Sequence, residues 1–558
     1  MTAQNLAAVH RQQAERYGPR TAIRFKRLGL YHDLSWDDYR EQATACAAAL
    51  IHVGVKPGDR VSVWSENRVE WLIADMGILA AGAVHVPLHA PLTGPQARYQ
   101  LGDAGVSWIF VSTADQLARL YLVRSDLPAL RGVVQFDDYP TDDDTVRWRA
   151  FLQMGRSVRA VESAEIDRRE AAVTPDALAT IMYTSGTTGN PKGVMLTHGN
   201  LFSNAIAFNA ISPPPADCVF MSWLPYSHIY ARTVDIYGTM VCGSVLCLAE
   251  SADMLVQNLM EIRPHLMSAV PRFYEKVLAA VQADPPTAKA RLRAIFGPRV
   301  DWLGSGGAPL APAVAQVYHD AGLLLLQGYG LTESSPVISF NRKDAFKLES
   351  VGLPIPGVEV KIASDSEVLT RGPHVMKGYW NNPAATAQAI KDGWLYTGDL
   401  GRLDADGFLY ITGRKKELMV LSNGKKVVPN HIEGLLLADP CLDQAVVCGE
   451  GRSFLTALVV PHWPNLARAA GLDLSRGEEA LAKEPAVRAF LEQRIETALA
   501  DVSPWERVKR IAVLPRPFSV ANEEMTVSLK LRRSVIAQRH KSGIEALYAE
   551  PVANEDVG

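Results

Sequence analysis

The chain has 558 residues, of which 48% are hydrophobic and 21% are charged, and its formal net charge is −3. This composition is typical of a soluble globular protein, the length predicts two or more domains, and the small negative charge argues against nucleic acid as the main partner. The six cysteines show no CxxC pair and no Cys/His metal spacing, so we expect reduced thiols in a cytoplasmic protein.

The first 170 residues alternate between helix-like and strand-like segments. Residues 35–54 predict a helix that is capped by Ser35 and closed by Gly54, and residues 59–67 and 107–112 predict strands. Such alternation predicts a layered α/β body with parallel sheets.

Two longer segments interrupt this pattern. The apolar run 71–88 contains Asp75 and His85 and ends near Pro87, so it predicts a buried helix that leads into a strand, and not a membrane span. The polar segment 138–175 is rich in Asp and Arg and is interpreted as a surface excursion.

The most informative stretch is residues 183–199, YTSGTTGNPKGVMLTHG. Glycines let backbone N–H groups turn toward an anion, hydroxyls donate further hydrogen bonds, and a lysine adds positive charge. We therefore predict a polyphosphate-binding loop, with these residues as its candidate donors: Thr184, Ser185, Gly186, Thr187, Thr188, Gly189 and Lys192.

This loop does not match the Walker pattern GxxxxGK[ST], because Lys192 follows Pro191 and precedes Gly193. The run VMLTH after it favours a strand over a helix. We expect a hairpin that holds a mobile phosphate loop.

Two further glycine motifs follow predicted strands. SGGAPL at 305–310 leads into a helix that begins near Ala311, and QGYGLTES at 327–334 follows the apolar strand LLLLQG. The carboxyl ends of such strands are where α/β sheets bind ligands. The candidate ligand-binding residues of these motifs are Gly306, Gly307, Ala308, Pro309, Gln327, Gly328, Tyr329, Gly330, Thr332 and Glu333.

Three motifs complete the set. In GWLYTGDLGRLDADGFLYITGRKKE at 393–417, Asp399 follows a glycine in a predicted turn and offers two acceptors, and Arg414 lies fifteen residues on. EEMTVSLKLRRSVI at 523–536 carries Lys530, and WLPYSHIYART at 223–233 carries His228.

The five motifs at 183–199, 305–310, 327–334, 393–417 and 523–536 resemble, in their order along the chain, those of the adenylate-forming (AMP-binding) superfamily, which activates carboxylic acids as acyl-adenylates. WLPYSHIYART at 223–233 also matches a segment of that superfamily. AVPRFYEKV at 269–277 and SVGLPIPGVEV at 350–360 resemble the long-chain fatty acyl-CoA synthetase branch. The resemblance covers about residues 5 to 545.

The resemblance implies a role for each motif. The Thr184 and Glu333 positions bind Mg²⁺ in the family, Lys530 matches the catalytic lysine, and His228 matches a residue of the acyl pocket. The SGGAPL segment lines the adenine pocket, on which Tyr329 can stack, and Thr332 can bond the α-phosphate. The remaining cofactor contacts expected are Asp399 and Arg414 at the ribose, together with Lys416 and Lys425.

The fold class we predict is α/β, with a large layered N-terminal α/β body and a small, mobile α+β C-terminal domain. The expected domains are 1–415, with the ATP and acyl pockets, and 416–558, with the catalytic lysine and a hinge at Lys416. Around Lys530 the sequence departs from the family's pattern, because TVSLK stands where relatives often carry a proline after the threonine.

The predicted reaction is ligation of a long-chain fatty acid to coenzyme A with ATP and Mg²⁺. Two alternatives remain: an acyl-AMP ligase that loads a carrier protein, and a synthetase for an aryl or medium-chain acid. A non-catalytic binding protein is disfavoured because both Lys530 and Glu333 are present. The sequence leaves open chain length, a homodimer and peripheral contact of a cytoplasmic protein with a membrane.

Overall fold

A computed structural model describes residues 5–139, 145–184, 190–282, 287–519, 522–525 and 531–549. The chain divides into two compact units. The larger unit runs to residue 363 and includes 369–397 and 403–410, and the smaller includes 364–368, 398–402 and the chain from 411 onward. The predicted fold class, a large α/β body followed by a smaller C-terminal unit, is confirmed. The boundary at 415/416 and the hinge at Lys416 stay predictions.

The strands of the described residues are β1 Thr21–Arg27, β2 Leu30–Ser35, β3 Arg60–Trp64, β4 Val84–Leu88, β5 Val106–Val111, β6 Gly132–Gln135, β7 Thr145–Arg147, β8 Leu178–Thr184, β9 Lys192–Thr197, β10 Val219–Ser222, β11 Val245–Leu248, β12 Leu266–Ala269, β13 Trp302–Ser305, β14 Leu325–Gly330, β15 Val337–Phe340, β16 Leu353–Pro354, β17 Glu359–Ile362, β18 Glu367–Arg371, β19 Gly378–Tyr379, β20 Ile390–Lys391, β21 Trp394–Leu403, β22 Leu409–Arg414, β23 Met419–Val420, β24 Lys426–Val427, β25 Leu442–Cys448, β26 Leu455–Pro461 and β27 Val508–Val513.

The α-helices are α1 Leu6–Tyr17, α2 Trp36–His52, α3 Val69–Ala80, α4 Gly94–Ala104, α5 Ala114–Tyr121, α6 Trp148–Ala172, α7 His198–Ile211, α8 Gly238–Cys242, α9 Leu255–Ile262, α10 Pro271–Gln282, α11 Ala288–Phe296, α12 Pro312–Asp320, α13 Pro383–Ala389, α14 Pro429–Leu437, α15 Trp463–Ala470, α16 Glu478–Leu481, α17 Pro485–Ala498, α18 Arg533–Arg539 and α19 Lys541–Ala549. None of the helices in the described part of the chain combines the length and apolar character needed to span a membrane.

Two large sheets form the body of the larger unit. One has eight strands in the order β19-β9-β8-β4-β3-β5-β6-β7, and the other has nine in the order β16-β15-β14-β13-β12-β10-β11-β1-β2. The inner strands of both sheets run parallel, whereas β9 and β19 in the first, and β2, β15 and β16 in the second, add antiparallel edges. Strands β4 and β5 are buried along their whole length, which explains their nearly continuous apolar sequences.

Helix α2 begins as predicted, because the Ser35 side chain accepts a hydrogen bond from the backbone N–H of Asp38. The prediction of a surface excursion over 138–175 is wrong. Most of it forms the 25-residue helix α6, which packs against α2. A Cβ on Gly155 of α6 would lie 1.8 Å from the carbonyl oxygen of Ala45, so the two helices meet at backbone contact. The sparse apolar residues Trp148, Phe151 and Leu152 are enough to bury this side of a largely polar helix.

The other predicted elements largely agree with the structure. The run 71–88 forms α3 and β4, and the antiparallel strands β8 and β9 flank the predicted phosphate loop in the sequence. The apolar strand after residue 322 forms β14 two residues later than the sequence indicates, and α12 begins at Pro312.

The smaller unit is α+β. Strand β26 lies between antiparallel β25 and parallel β27, and α14, α15 and α17 cover the sheet with a separate hydrophobic core. The Asn-Gly pair at 423–424 lies in the loop of the β23–β24 hairpin, where Gly424 has a φ of 78°.

Candidate active site

The predicted phosphate loop is closed by a pair of residues at the end of the β8–β9 hairpin. Thr184, the last residue of β8, is paired with Lys192, the first residue of β9, and both are half-buried. The predicted donors Ser185, Gly186, Thr187, Thr188 and Gly189 lie outside the described residues. The hairpin therefore brings a hydroxyl and an ammonium group to the two ends of the loop.

Sequence reasoning missed Tyr379, which links this hairpin to Glu333. Strand β19 adds to β9 so that Tyr379 is opposite Val194, two residues from Lys192 and on the same face. The Lys192 ammonium lies 4.9 Å from the centre of the Tyr379 ring, and the Tyr379 hydroxyl donates to Glu333 Oε1 at 2.8 Å. Lys192, Tyr379 and Glu333 form one continuous cluster of contacts.

Burial raises the pKa of Tyr379 well above its ordinary value, and the neighbouring Glu333 carboxylate raises it further. The phenol therefore stays protonated at physiological pH and remains a donor to Glu333. The backbone of Glu333 is also held, since its carbonyl oxygen accepts from the Met376 N–H at 2.9 Å. Glu333 thus has a fixed position in the middle of the 3₁₀ turn Thr332–Ser334.

Glu333 is the only carboxylate in this cluster among the described residues, and no group of three or more His, Cys, Asp or Glu side chains in that part of the chain could hold a metal ion. A divalent cation here would need oxygens from a ligand and from Thr184 besides Glu333. Mg²⁺ is commonly bound in this way, by one or two carboxylates, substrate phosphates and water. The donor set therefore fits a magnesium ion that arrives with a polyphosphate.

The glycines of QGYG have a packing reason that the sequence did not reveal. A Cβ on Gly330 would lie 1.8 Å from the carbonyl oxygen of Pro336, and one on Gly328 would lie 2.4 Å from the Phe340 ring. Both glycines allow the antiparallel strand β15 to approach β14. Between them, Tyr329 is half-buried.

The two glycine motifs lie side by side at the carboxyl ends of β13 and β14, neighbouring strands of the nine-stranded sheet. Ser305 of β13 is paired with Ala269 of β12 and with Gln327 of β14, so the segments that follow these strands lie side by side. Thr332 follows β14 in the 3₁₀ turn, and after β13 Gly307, Ala308 and Pro309 are exposed.

Gly306 itself is buried against an aromatic ring. A Cβ on Gly306 would lie 3.1 Å from the Tyr230 ring, and Gly307 has a φ of 81°. The Tyr230 N–H also donates to His228 Nδ1 at 3.2 Å, and His228 is half-buried. The contacts therefore connect the predicted acyl-pocket histidine to the SGGAPL segment through Tyr230.

A buried polar network lies behind the hairpin, and sequence reasoning missed it. Arg232, on the π-helix Ala231–Tyr237, donates to Asp75 Oδ1 at 2.5 Å, to Thr180 Oγ1 at 2.6 Å and to the Tyr237 hydroxyl at 2.9 Å. His85 Nδ1 lies 2.6 Å from the same Asp75 oxygen, and the side chains of Arg232, Asp75 and His85 are fully buried.

The charges of this network balance. Burial opposes ionisation of Asp75, but Arg232 and His85 outweigh it and hold its pKa below the ordinary value. Burial, followed by the charge of Arg232, lowers the pKa of His85 to about 4, so the imidazole is neutral. One carboxylate therefore faces one guanidinium, and the network ties β8, whose last residue is Thr184, to the segment that follows His228.

The smaller unit holds the predicted ribose-binding pair. Arg414 Nε donates to Asp399 Oδ1 at 2.7 Å, and the Asp399 side chain is 6% exposed. The prediction that Asp399 lies in a turn is wrong, because it lies within strand β21. The turn-like glycine pattern reflects a local irregularity: Gly398 has a φ of 73°, and its N–H donates to Glu367 Oε1.

The remaining lysines also belong to this unit. Lys416 is exposed in the 3₁₀ turn Lys415–Glu417, and the ammonium of the exposed Lys425 lies 4.4 Å from the centre of the Trp505 ring. Lys530 lies outside the described residues. Just beyond it, Arg533 Nη1 donates to the buried Glu433 at 2.6 Å, which fixes the first turn of α18.

Two family models match the chain. The model of the AMP-binding enzyme matches residues 10–380, and the model of the AMP-binding enzyme C-terminal domain matches residues 416–551. The chain belongs to the AMP-binding enzyme family. This confirms the superfamily that the sequence motifs resemble.

The chain is similar to several known proteins over almost its full length. The long-chain-fatty-acid–CoA ligase FadD15 of Mycobacterium bovis is 33% identical, covering 93% of each chain, and the human long-chain-fatty-acid–CoA ligase ACSBG1 is 28% identical, covering 97% of this chain and 85% of that protein. A crystal structure of the anthranilate CoA ligase AuaEII in complex with anthranoyl-AMP superposes with a TM-score of 0.79 at 19% identity, covering 97% of this chain and 98% of that one. The last comparison bears on the fold alone.

Proposed function

We propose that this AMP-binding enzyme ligates a long-chain fatty acid to coenzyme A in two steps. The carboxylate attacks the α-phosphorus of ATP, which gives acyl-AMP and pyrophosphate, and the thiol of coenzyme A then displaces AMP. A carboxylate does not acylate a thiol unaided, and the mixed anhydride supplies the leaving group. The observation that carries the proposal is the 33% identity, over 93% of the chain, to a protein named as a long-chain-fatty-acid–CoA ligase.

The cluster at the β8–β9 hairpin supports a polyphosphate as the first ligand. Lys192 supplies positive charge beside the loop, and Thr184 supplies a hydroxyl at its other end. The Tyr379 hydroxyl holds Glu333, and we assign Glu333 and Thr184 to Mg²⁺. A bound Mg²⁺ neutralises phosphate charge, so that a second anion, the substrate carboxylate, can approach.

The nucleoside assignments follow the sequence motifs, taken one motif at a time. We assign the adenine to Tyr329 and the SGGAPL segment, whose backbone is open at Gly307. Asp399 presents carboxylate oxygens suited to the ribose hydroxyls, and its contact with Arg414 Nε at 2.7 Å supports an oriented acceptor.

Three lysines of the smaller unit and one histidine complete the assignment. Lys530 is the proposed catalytic lysine, which places charge where it develops at phosphorus. Lys416 is the proposed hinge, and Lys425 a contact for a phosphate-bearing cofactor. His228 is assigned to the acyl site beside Tyr230, which supports its position near the substrate carboxylate.

The finer features are also proposals. We propose saturated acids of roughly 12–18 carbons, because each buried methylene contributes about 0.8 kcal/mol until the pocket ends. We propose free coenzyme A as the acceptor, since the segment GRKKELMVLSNGKK carries no evident insertion of the kind common in carrier-loading enzymes. A cytoplasmic location and a homodimer complete the proposal.

The test is a panel of acids, palmitate, octanoate, acetate and a cinnamate-like acid, each with ATP, Mg²⁺ and coenzyme A. Pyrophosphate release and thioester formation are measured separately, with ATP omitted as the control. We expect both products, and the highest specificity constant with palmitate. Equal activity with acetate or the cinnamate-like acid would refute the chain-length assignment. Pyrophosphate without thioester would favour a carrier protein as acceptor, and no pyrophosphate would favour a binding protein.

A further inference from the structure

The β1–β2 hairpin projects from the edge of the nine-stranded sheet. Pairing of β1 with β11 covers Ile23 and Arg24, whereas pairing with β2 extends to Arg27. The last residues of β1 and the first residues of β2 therefore form a two-stranded projection. A two-stranded ribbon has little stability of its own, so the contacts along its faces decide how it is held.

The tip of the projection carries a leucine whose backbone angle and whose exposure are both unusual. Leu28 and Gly29 both have positive φ, 51° and 79°, as in a type I′ turn, where Asn-Gly is the preferred pair. Leucine is rarely found in this backbone region. The Leu28 side chain is also 95% exposed, and the neighbouring Leu30 is 68% exposed. Neither burial nor turn geometry explains a leucine at position 28.

One face of the hairpin is fixed to the body by polar contacts. Glu261 of α9 accepts from Lys26 Nζ at 2.9 Å and from the Tyr31 hydroxyl at 2.7 Å. On the same face, Arg24 is paired with Asp33 at 2.6 Å. These contacts hold the projection in place, and both cations of this face are paired with carboxylates, Lys26 with Glu250 as well as Glu261.

The opposite face differs in charge and polarity. The register and the alternation of side chains place Phe25, Arg27, Leu30 and His32 on it, and Phe25 stacks on His32 with ring centres 5.7 Å apart. Phe25 packs against the core, but Arg27, Leu30 and His32 are exposed. None of the four is a carboxylate, and no carboxylate of the described residues pairs with Arg27.

We propose that the hairpin tip docks on a lipid bilayer that carries anionic headgroups. Leu28 and Leu30 enter the acyl region, where their exposed apolar surface is removed from water. Arg27, which pairs with no carboxylate of the described residues, meets the anionic headgroups at the level of the interface. The proposal concerns where the protein binds and does not depend on which acid it activates.

The experiment is co-sedimentation of the full-length protein with phosphatidylcholine vesicles, with and without phosphatidylglycerol, and without ATP or fatty acid. The double variant Leu28→Asn/Leu30→Ser removes the apolar tip, and asparagine suits the left-handed backbone at position 28. Arg27→Gln removes the charge alone. Leu122→Asn is the matched control, because Leu122 is 83% exposed after α5.

We expect the wild-type protein and Leu122→Asn to bind phosphatidylglycerol vesicles equally, and the double variant to bind about tenfold or more weakly. Arg27→Gln should lose the preference for phosphatidylglycerol over phosphatidylcholine. The melting temperature of the double variant should not fall, which separates lost binding from lost folding. Wild-type protein that stays in the supernatant, or a double variant that binds normally, overturns the proposal.

A second copy of the chain is the competing occupant of the tip. Sedimentation velocity tests it: a wild-type dimer that the double variant converts to a monomer, with no vesicle binding by either protein, also overturns the proposal. Because no substrate is present, these results are independent of the pyrophosphate assay.

Discussion

Replacing Tyr379 with phenylalanine removes one hydroxyl and leaves the ring in place. The hydroxyl donates to Glu333 Oε1 at 2.8 Å, whereas the ring lies 4.9 Å from the Lys192 ammonium. A hydrogen bond to a charged group contributes about 1.5–3 kcal/mol. If the barrier to adenylation carries this loss in full, Tyr379→Phe slows pyrophosphate release by about 10- to 150-fold. The cation–π contact with Lys192 should remain.

The assay follows pyrophosphate release with palmitate and ATP across a magnesium titration. In Tyr379→Phe the Glu333 carboxylate loses its orientation, so half-saturation should need more magnesium. Glu333→Gln keeps the shape and removes the charge, and it should shift the titration further. Tyr31→Phe is the matched control, because it removes another tyrosine hydroxyl that donates to a carboxylate, that of Glu261 at 2.7 Å, outside this cluster.

The magnesium titrations of the variants can give three results. A shift for Tyr379→Phe and Glu333→Gln, but not for Tyr31→Phe, supports a cation at Glu333 that Tyr379 orients. If Glu333→Gln shows the same magnesium dependence as the wild-type protein, Glu333 does not bind the metal ion. A shift for Glu333→Gln alone would leave Glu333 as the metal ligand and reduce Tyr379 to a packing residue.

The other predictions concern the two lysines, helix packing and pH. Lys530→Ala should nearly abolish acyl-AMP formation but still convert synthetic acyl-AMP to thioester. Lys416→Pro, which restricts φ at the proposed hinge, should form acyl-AMP but fail to convert it to thioester. Single-turnover assays that start from the acid and from acyl-AMP measure the two half-reactions, and equal loss of both in either variant contradicts these roles. Gly155→Ala should lower the free energy of unfolding by about 2 kcal/mol or more in denaturant titrations, because its Cβ would lie 1.8 Å from a carbonyl oxygen of α2. Gly102→Ala is the control, because the nearest atom to its Cβ would lie at an ordinary 3.8 Å. Equal effects of the two substitutions would contradict the packing argument. Burial lowers the pKa of His198 from 6.5 to about 4, and its Nδ1 accepts from a backbone N–H. As pH falls, the unfolded chain therefore binds the proton before the folded chain does. The stability that the neutral, buried His198 contributes, about 3 kcal/mol, is complete above pH 6.5 and is lost as pH falls toward 4. His198→Asn keeps an acceptor and should reduce the pH dependence of unfolding between pH 4 and 6.5, and an unchanged profile would show that His198 does not contribute to it.

Local patterns in the sequence were enough to predict the hairpin around the phosphate loop, the parallel strands and the two-unit organisation. Each of these depends on neighbours in the chain: strands β8 and β9 flank a loop of glycines and threonines, and β4 and β5 are apolar along their length. Helix α6 could not be predicted in the same way. Its burial depends on Gly155, which has no side chain and so adds nothing to a hydrophobic pattern, yet it is what allows backbone contact with α2.

The glycines of QGYG, in contrast, form a clear sequence motif, but their packing role could not be predicted from it. Dense glycines beside a predicted strand end favour a ligand contact, and the sequence offers no way to know that β15 would pass within reach of Gly328 and Gly330. Tyr379 carries no motif of its own in KGYW. Its relation to Glu333 comes from the register of β19 on β9, which pairs residues 185 positions apart, Tyr379 and Val194.

The run 71–88 marks how far sequence reasoning can extend. An aspartate inside an apolar helix must find a counter-charge and donors, because a buried, unpaired carboxylate is too costly to keep. The sequence therefore implies that Asp75 has a partner, but any of the 57 lysines and arginines could supply it. The structure selects Arg232, which lies 157 positions away on a π-helix and also bonds Thr180 of β8. Because this guanidinium connects the strand that bears Thr184 to the segment that bears His228, a change at Arg232 should alter the predicted phosphate loop and the proposed acyl site together, a coupling that neither motif alone predicts.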